Sequence, residues 1–159
     1  MAYEIRETEP GELIELGRFL IHAFGAQPEA PFAAPDVLHW KLFDPMGGPE
    51  VLRGLDAWRE NSILGHIGVH PTAIILSNAS GEGRESAAIH PIDWVVSEQG
   101  VGVGIRLLMR VHRLSPVHFA IGCTPSSTPV ALRTGYSVWQ QIPVFQRVFR
   151  PWSRLRHRG

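Results

Sequence analysis

The sequence predicts an α/β domain in which helices flank a largely antiparallel central sheet. Three strand-like segments follow one another at residues 51–58, 62–77 and 86–96, which is typical of an antiparallel meander. Apolar residues recur at three- and four-residue steps over 11–24 and 102–114, which indicates amphipathic helices. The chain has 159 residues, of which 44% are hydrophobic. This is enough for one domain with an apolar core, and it excludes a chain of low hydrophobicity and high net charge.

The N-terminal third contains start and stop signals for two helices. Alternation of apolar and polar residues over 3–8 predicts a short strand. Pro10 suits the first turn of the helix that follows, and Gly25 suits its end. The proline-containing segment 26–35 is predicted to be a loop, and a short helix is expected at 36–43.

The later elements are set apart by glycine and proline. Glycine and proline inside the strand at 62–77 predict that it is bent or bulged. A strand is expected at 117–123. Thr128 is a suitable N-cap for a last helix, which Gly135 ends. Residues 136–149 contain two short strand-like pieces and complete a domain at 1–149.

Charge is distributed unevenly along the chain. All 15 acidic residues lie within 1–98, whereas 99–159 contain nine arginines and no acidic residue. Because the arginine fork matches phosphate oxygens, this half indicates an anionic partner; the alternative is that the two halves pair with each other. The last ten residues, 150–159, form a basic tail that we expect to be loose.

Several classes of protein are excluded or disfavoured. No apolar run approaches the ~20 residues that span a bilayer, and the N-terminus lacks a secretory signal pattern. Cys123 is the only cysteine, so no intrachain disulfide can form, and a cytoplasmic setting is the simplest expectation. His66 and His70 on one strand would lie about 13 Å apart, too far to share a metal, so no metal is expected.

One motif indicates chemistry: Gln99-Gly100-Val101-Gly102-Val103-Gly104, between a predicted strand and a predicted helix. Closely spaced glycines let a ligand approach the backbone, and the first amides of a helix have no intrahelical partner. Together with the helix dipole they favour an anion such as pyrophosphate. No Gly-Lys-Ser/Thr follows, which excludes a P-loop. The absence of any downstream acid argues against a dinucleotide fold.

The motif and its context resemble the GNAT N-acetyltransferase superfamily. The family's acyl-CoA signature, Gln/Arg-x-x-Gly-x-Gly/Ala, is matched by residues 99–104 at every fixed position. Residues 92–96 resemble the strand that precedes it in the family. Residues 130–136 resemble the family's last helix, which closes in Gly-Phe/Tyr. The predicted order of helices and strands is similar as well.

The resemblance implies a mixed, largely antiparallel sheet in which a bulge separates two strands, with acetyl-CoA or another acyl-CoA in the gap. The main chain of the preceding strand would bind the pantetheine arm, and the glycine turn would bind the pyrophosphate. Arg110 and Arg133, like Arg106, could also approach the phosphates. The implied binding residues are Val95, Val96, Gln99, Gly100, Val101, Gly102, Val103, Gly104, Ile105 and Arg106.

The implied activity is transfer of an acyl group, most simply acetyl, to a primary amine. The amine would attack the acyl-CoA directly in a ternary complex. The acceptor would be a small molecule or a peptide amine, and a homodimer is common in the family. Asp93 and Glu98 are the candidate catalytic residues, and His90 is a further candidate base. The family often has a tyrosine general acid where Ala131 stands, so that role falls to another group or to water.

Two other functions remain open. The missing tyrosine at Ala131 is compatible with a catalytically degenerate module that binds acyl-CoA without turnover. The arginine-rich half, 99–159, is compatible with a nucleic-acid-binding domain, whose affinity would fall steeply with salt.

Overall fold

The computed structural model describes residues 2–44 and 53–138. In the described part, four strands form one antiparallel sheet in the order β1-β2-β3-β4. The elements are β1 (Glu4–Glu7), α1 (Leu13–Phe24), α2 (Pro35–Phe43), β2 (Gly54–Arg59), β3 (Ser62–Ser77), β4 (Gly83–Val96), α3 (Val103–Val111) and α4 (Thr128–Arg133), with 3-10 turns at Pro10–Glu12 and Pro31–Ala33. The predicted α/β architecture is confirmed.

The helices lie on both faces of the sheet, and each face has its own core. On one face α3 buries Val103, Leu107, Leu108 and Val111 against strand residues that include Leu55, Ile67 and Val69. On the other face α1 and α2 bury Leu13, Leu16, Leu20, Leu38 and Leu42 together with Ile63. The apolar spacing in α1 and α3 therefore marks the faces that pack on the sheet.

Two bulges interrupt the sheet at its centre. Between β2 and β3, Ala57 faces Gly65 and Trp58 faces Ile63, so Leu64 is an extra residue. Between β3 and β4, Gly68 faces Ile92 and His66 faces Val95, so two residues of β4 oppose Ile67 alone. The prediction of a bulged strand at 62–77 is thus correct, since an unpaired extra residue bends and twists the strand that carries it.

The segment 117–123 corrects a prediction. It forms no strand; its sheet contact is a single parallel bridge from His118 to Ile89 of β4. The helix start also differs, because Thr128 is the first helical residue and Ser127 precedes it, so Thr128 is not the N-cap. The strand-like pieces predicted within 136–149 lie outside the described residues from 139 onward, as does the tail 150–159.

No helix in residues 2–44 and 53–138 is long and apolar enough to cross a membrane.

Candidate active site

A gap opens beside β4 where the chain that follows α3 leaves the sheet. The amide of Ile89 donates to the carbonyl of Val117 at 3.0 Å, and the amide of Phe119 donates to the carbonyl of Ile89 at 3.1 Å. Beyond these two bonds the segment 120–124 and β4 line opposite sides of a cavity of about 320 Å³. These bonds therefore close the gap at Ile89, and the cavity lies beside the C-terminal half of β4.

The bulge in β4 lies in the wall of this cavity. Asp93 has a positive φ of 49°, a left-handed conformation that is costly for a residue with a side chain. The next residue, Trp94, donates from its indole Nε1 to the carbonyl of Gly104 at 3.1 Å. Both residues line the cavity. The bulge thus turns Asp93 and Trp94 out of register and ties the end of β4 to the start of α3.

The glycine turn connects β4 to α3 and lies where the motif predicts it. The amide of Gly100 donates to the Ser97 carbonyl, and the amide of Val103 donates to the Gly100 carbonyl, each at 2.9 Å. A Cβ on Gly100 would lie 2.6 Å from the carbonyl oxygen of Leu64, so only glycine fits there. Gly102, with φ of 81°, is the N-cap of α3.

The N-terminus of α3 is open above Gly102. A Cβ built on Gly102 meets nothing within 4 Å. The amides of Gly104 and Ile105 fall in the first turn of α3 and have no intrahelical partner. Val101, in the same turn, is 91% exposed. The turn thus presents backbone donors to solvent at the positive end of a helix dipole, which is a favourable place for an anion.

The other predicted binding residues surround this turn. Val95 and Val96 pair with β3 through His66 and Gly65 on one side only among the described strands. The side-chain carbonyl of Gln99 accepts a hydrogen bond from Arg59.

The arginines of α3 contact the N-terminal strand. The guanidinium of Arg106 lies 5.6 Å from the ring centre of Tyr3, and Arg110 donates to the carbonyl of Ile5 at 3.0 Å. In this structure both side chains therefore contact residues 3–5, whereas the glycine turn offers backbone amides.

The two candidate carboxylates lie in different surroundings. Asp93 lines the cavity and forms an ion pair with Lys41 of α2, with 2.6 Å between Oδ2 and Nζ. Their side chains are only 19% and 20% exposed. Glu98 lies in the exposed turn after β4 and is not among the residues that line the cavity. The structure therefore places Asp93, and not Glu98, beside the gap.

Two titratable rings also line the cavity. His90 stacks on Phe119 with ring centres 4.9 Å apart and an angle of 13° between the planes. Burial lowers the pKa of His90, and the neighbouring His70 lowers it further. On the other wall, burial raises the pKa of Tyr136 to about 12, with a smaller contribution from Cys123. The Tyr136 hydroxyl has no hydrogen-bond partner within the described residues.

Sequence reasoning missed Tyr136 as a residue of the site. It identified this tyrosine only as the end of the last helix motif. In the structure the amide of Tyr136 donates to the carbonyl of Ala131 at 3.2 Å, and both residues line the cavity. Ala131 stands where the family often has a tyrosine, and its small side chain leaves space for a neighbouring residue. Only the fold identifies that neighbour as Tyr136.

In the described ranges no three His, Cys, Asp or Glu side chains are grouped closely enough to hold a metal ion. His66 and His70, the two histidines tested above as a metal pair, have different partners. His66 is fully buried and bonds Asp56, whereas His70 faces His90 across the β3–β4 ladder.

The half-buried His112 predicts a pH dependence of stability. Burial lowers its pKa, and so does His118, whose ring centre is 4.9 Å away. The folded state then binds fewer protons than the unfolded state as the pH falls below about 6.5, so acidification from pH 7 to pH 5 destabilises the fold. Urea unfolding of His112→Gln across this range should give a flatter pH dependence than the wild type. An unchanged slope would contradict this role for His112.

No protein-family model and no curated protein matches this chain. Solved structures do match it. An acetyltransferase of Trypanosoma brucei has a TM-score of 0.63 at 16% identity, covering 92% of this chain and 100% of that one. A predicted acetyltransferase with acetyl-CoA from Clostridium acetobutylicum has a TM-score of 0.60 at 13% identity, covering 99% and 100%. An aminoglycoside acetyltransferase from an uncultured soil metagenomic sample, in complex with sisomicin, has a TM-score of 0.60 at 20% identity, covering 92% and 96%.

These likenesses extend over almost the whole length of each chain. The chain has the fold of the GNAT N-acetyltransferases.

Proposed function

We propose that this protein transfers an acyl group, most simply acetyl, from CoA to a primary amine. The observation that carries the proposal is the gap that opens past Ile89 beside the C-terminal half of β4, the strand that continues through the glycine turn into α3. The free edge of β4 can bind the extended thioester arm, and the N-terminus of α3 can bind its phosphates.

The length of strand beside the gap suits such an arm. From Ile92 to Val96 the strand covers four residues, or about 13 Å at the rise of a β-strand. Because β3 occupies one edge of this stretch, backbone groups on the other edge are available to the pantetheine amides. The amides of Gly104 and Ile105 would then meet the pyrophosphate. The neighbour from Clostridium acetobutylicum, solved with acetyl-CoA, supports this assignment.

The acceptor would reach the acyl group from the side of α1 and α2. Phe24, at the end of α1, lines the cavity, and Lys41 of α2 reaches Asp93 in its wall. The acetyltransferase solved with sisomicin binds a small amine, and a small-molecule amine is the acceptor class we propose for this chain.

The reaction needs a neutral amine held in line with the thioester carbonyl. The amine nitrogen bonds to the carbonyl carbon, the carbon–sulfur bond breaks, and CoA departs as the thiolate. Positioning and proton transfer contribute most of the rate enhancement in such a step. Within this proposal Asp93 is the carboxylate of the site, with Lys41 as its counter-ion. Glu98 has less support as a catalytic residue because it lies in the exposed turn.

The first test is thermal unfolding with and without acetyl-CoA. Ligand at 100 times its dissociation constant should stabilise the fold by about 2.7 kcal/mol and raise Tm by several degrees. The assignment is wrong if millimolar acetyl-CoA, propionyl-CoA and free CoA all leave Tm unchanged. Release of the CoA thiol in the presence of an amine panel then tests turnover. Binding without turnover would identify a module that only holds acyl-CoA.

A further inference from the structure

We propose that the imidazole of His90 is the general base that takes the proton from the attacking amine. The proposal rests on the acyl transfer proposed above and assigns the proton acceptor of that step. It starts from the position of His90 in the gap, from the packing of its ring and from the partners of the two carboxylates.

His90 lines the cavity at the closed end of the gap. Ile89, the residue before it, makes the last backbone bonds that hold segment 117–119 against β4. His90 and Phe119 are therefore the first pair of residues past the point of separation, and their rings stack at 4.9 Å. An arm that enters beside the N-terminus of α3 and follows β4 ends here, so the acyl group and the imidazole meet.

The stacked ring is held in place without a strong ion pair. His70 faces His90 across the ladder on β3, and the other titratable groups in the cavity lining are Asp93 further along β4, Cys123 and Tyr136. The carboxylate of Asp93 has Lys41 as its partner at 2.6 Å. The carboxylate that lines the cavity with His90 is thus neutralised by an ammonium group and does not favour an imidazolium at His90.

These surroundings keep a lone pair available. Burial and His70 lower the pKa of His90, so the ring is neutral near pH 7. Asp93 is a weaker choice because a proton on its carboxylate would break the ion pair with Lys41. Glu98 does not line the cavity. Among the residues described around the gap, His90 is the neutral base beside the closed end.

The proton balance of the step is simple. As the amine nitrogen bonds to the carbonyl carbon, its proton moves to the free ring nitrogen of His90. The carbon–sulfur bond then breaks and its electron pair leaves with the sulfur of CoA. His90 gives the proton to that thiolate or to water, which restores the neutral ring for the next turnover.

His90→Gln tests the assignment, with His112→Gln as the matched control. His112 is another half-buried histidine with a lowered pKa, and it is not among the residues that line the cavity. Each protein is assayed for the Tm shift with acetyl-CoA. CoA thiol release is measured from pH 5.5 to 9 with spermidine, tyramine and sisomicin, and also without acceptor.

His90→Gln should keep the acetyl-CoA shift and lose kcat/KM by about 100-fold. Deprotonation of the amine makes the rate rise with pH in every variant, and protonation of His90 adds a steeper fall below about pH 6.5 that His90→Gln should lose. His112→Gln should keep the rate and this steeper fall. A His90→Gln protein that retains both overturns the base assignment and leaves the transferase intact. A wild type that binds acetyl-CoA but releases no thiol under any condition overturns both the base and the transfer. A wild type with no acetyl-CoA shift contradicts the proposed function itself.

Discussion

Replacing Gly102 with tryptophan should weaken acetyl-CoA binding by at least 100-fold while leaving the protein folded. Gly102 has φ of 81°, and nothing lies within 4 Å of a Cβ built on it, so an indole can extend over the first turn of α3 without a clash. There it would cover the free amides of Gly104 and Ile105. The left-handed backbone adds a strain of about 1–2 kcal/mol, which a domain of this size tolerates.

Gly81→Trp is the matched control for that experiment. Gly81 lies in the turn between β3 and β4, has φ of 84°, and likewise has nothing within 4 Å of its Cβ position. The two variants carry the same backbone strain and the same added side chain, but only Gly102 is the N-cap of α3. Isothermal titration with acetyl-CoA should show a loss in Gly102→Trp alone. Equal binding by both variants would remove the glycine turn from the site.

The segments with strong local patterns were predictable from sequence. The leucine spacing of α1 and the alternation at the N-terminus identify their elements without tertiary information. The prediction of strand 62–77 has the same bounds as β3. The glycine turn was also readable, because left-handed and tightly packed backbone positions admit few residues other than glycine.

The geometry of the site was harder to predict from the sequence because it depends on pairing between distant segments. The extra residue at Asp93 follows from the register of β4 on β3, which no local pattern records. The ion pair to Lys41 joins residues 52 positions apart. Segment 117–123 has the composition of a strand, but in the described structure it makes only one bridge to β4. Local propensity favours a strand in this segment, but the segment separates from β4 at the cavity and therefore lacks the pairing that a strand needs.

The two bulges together explain how the glycine turn reaches its place. The carbonyl of Leu64, the extra residue of β3, accepts the amide of Ser97 at 2.8 Å, directly after β4 ends. The same oxygen is the atom that a Cβ on Gly100 would touch. One bulge therefore anchors the turn through its backbone, while the other turns Asp93 toward Lys41 of α2. The two register changes in the sheet thus position both the glycine turn and Asp93.

Asp56→Ala should cause the largest loss of stability among the polar substitutions considered. Asp56 of β2 and His66 of β3 are paired in the ladder and fully buried, and Nδ1 of His66 donates to Oδ1 of Asp56 at 2.6 Å. Truncation leaves the imidazole nitrogen without an acceptor in an interior that water does not reach. Breaking a buried pair from one side costs about 3–5 kcal/mol. Urea unfolding should report a loss in that range, and Glu85→Ala on the exposed hairpin should stay within about 0.5 kcal/mol of wild type.

A double variant distinguishes the stability contributed by the Asp56–His66 hydrogen bond from that contributed by side-chain packing. If the loss in Asp56→Ala comes from the orphaned imidazole, His66→Leu in the same chain should recover part of it, because the unpartnered imidazole donor is then removed. Additive losses in Asp56→Ala, His66→Leu and the double variant would mean that the two side chains act only through packing. The pair alternates along its strands with Leu55, Ala57 and Ile67, which pack toward α3, so it lies on the other sheet face, and it is not among the residues that line the cavity. We therefore expect Asp56→Ala to lower Tm by about 10 °C, while the protein that remains folded at 15 °C binds acetyl-CoA as the wild type does.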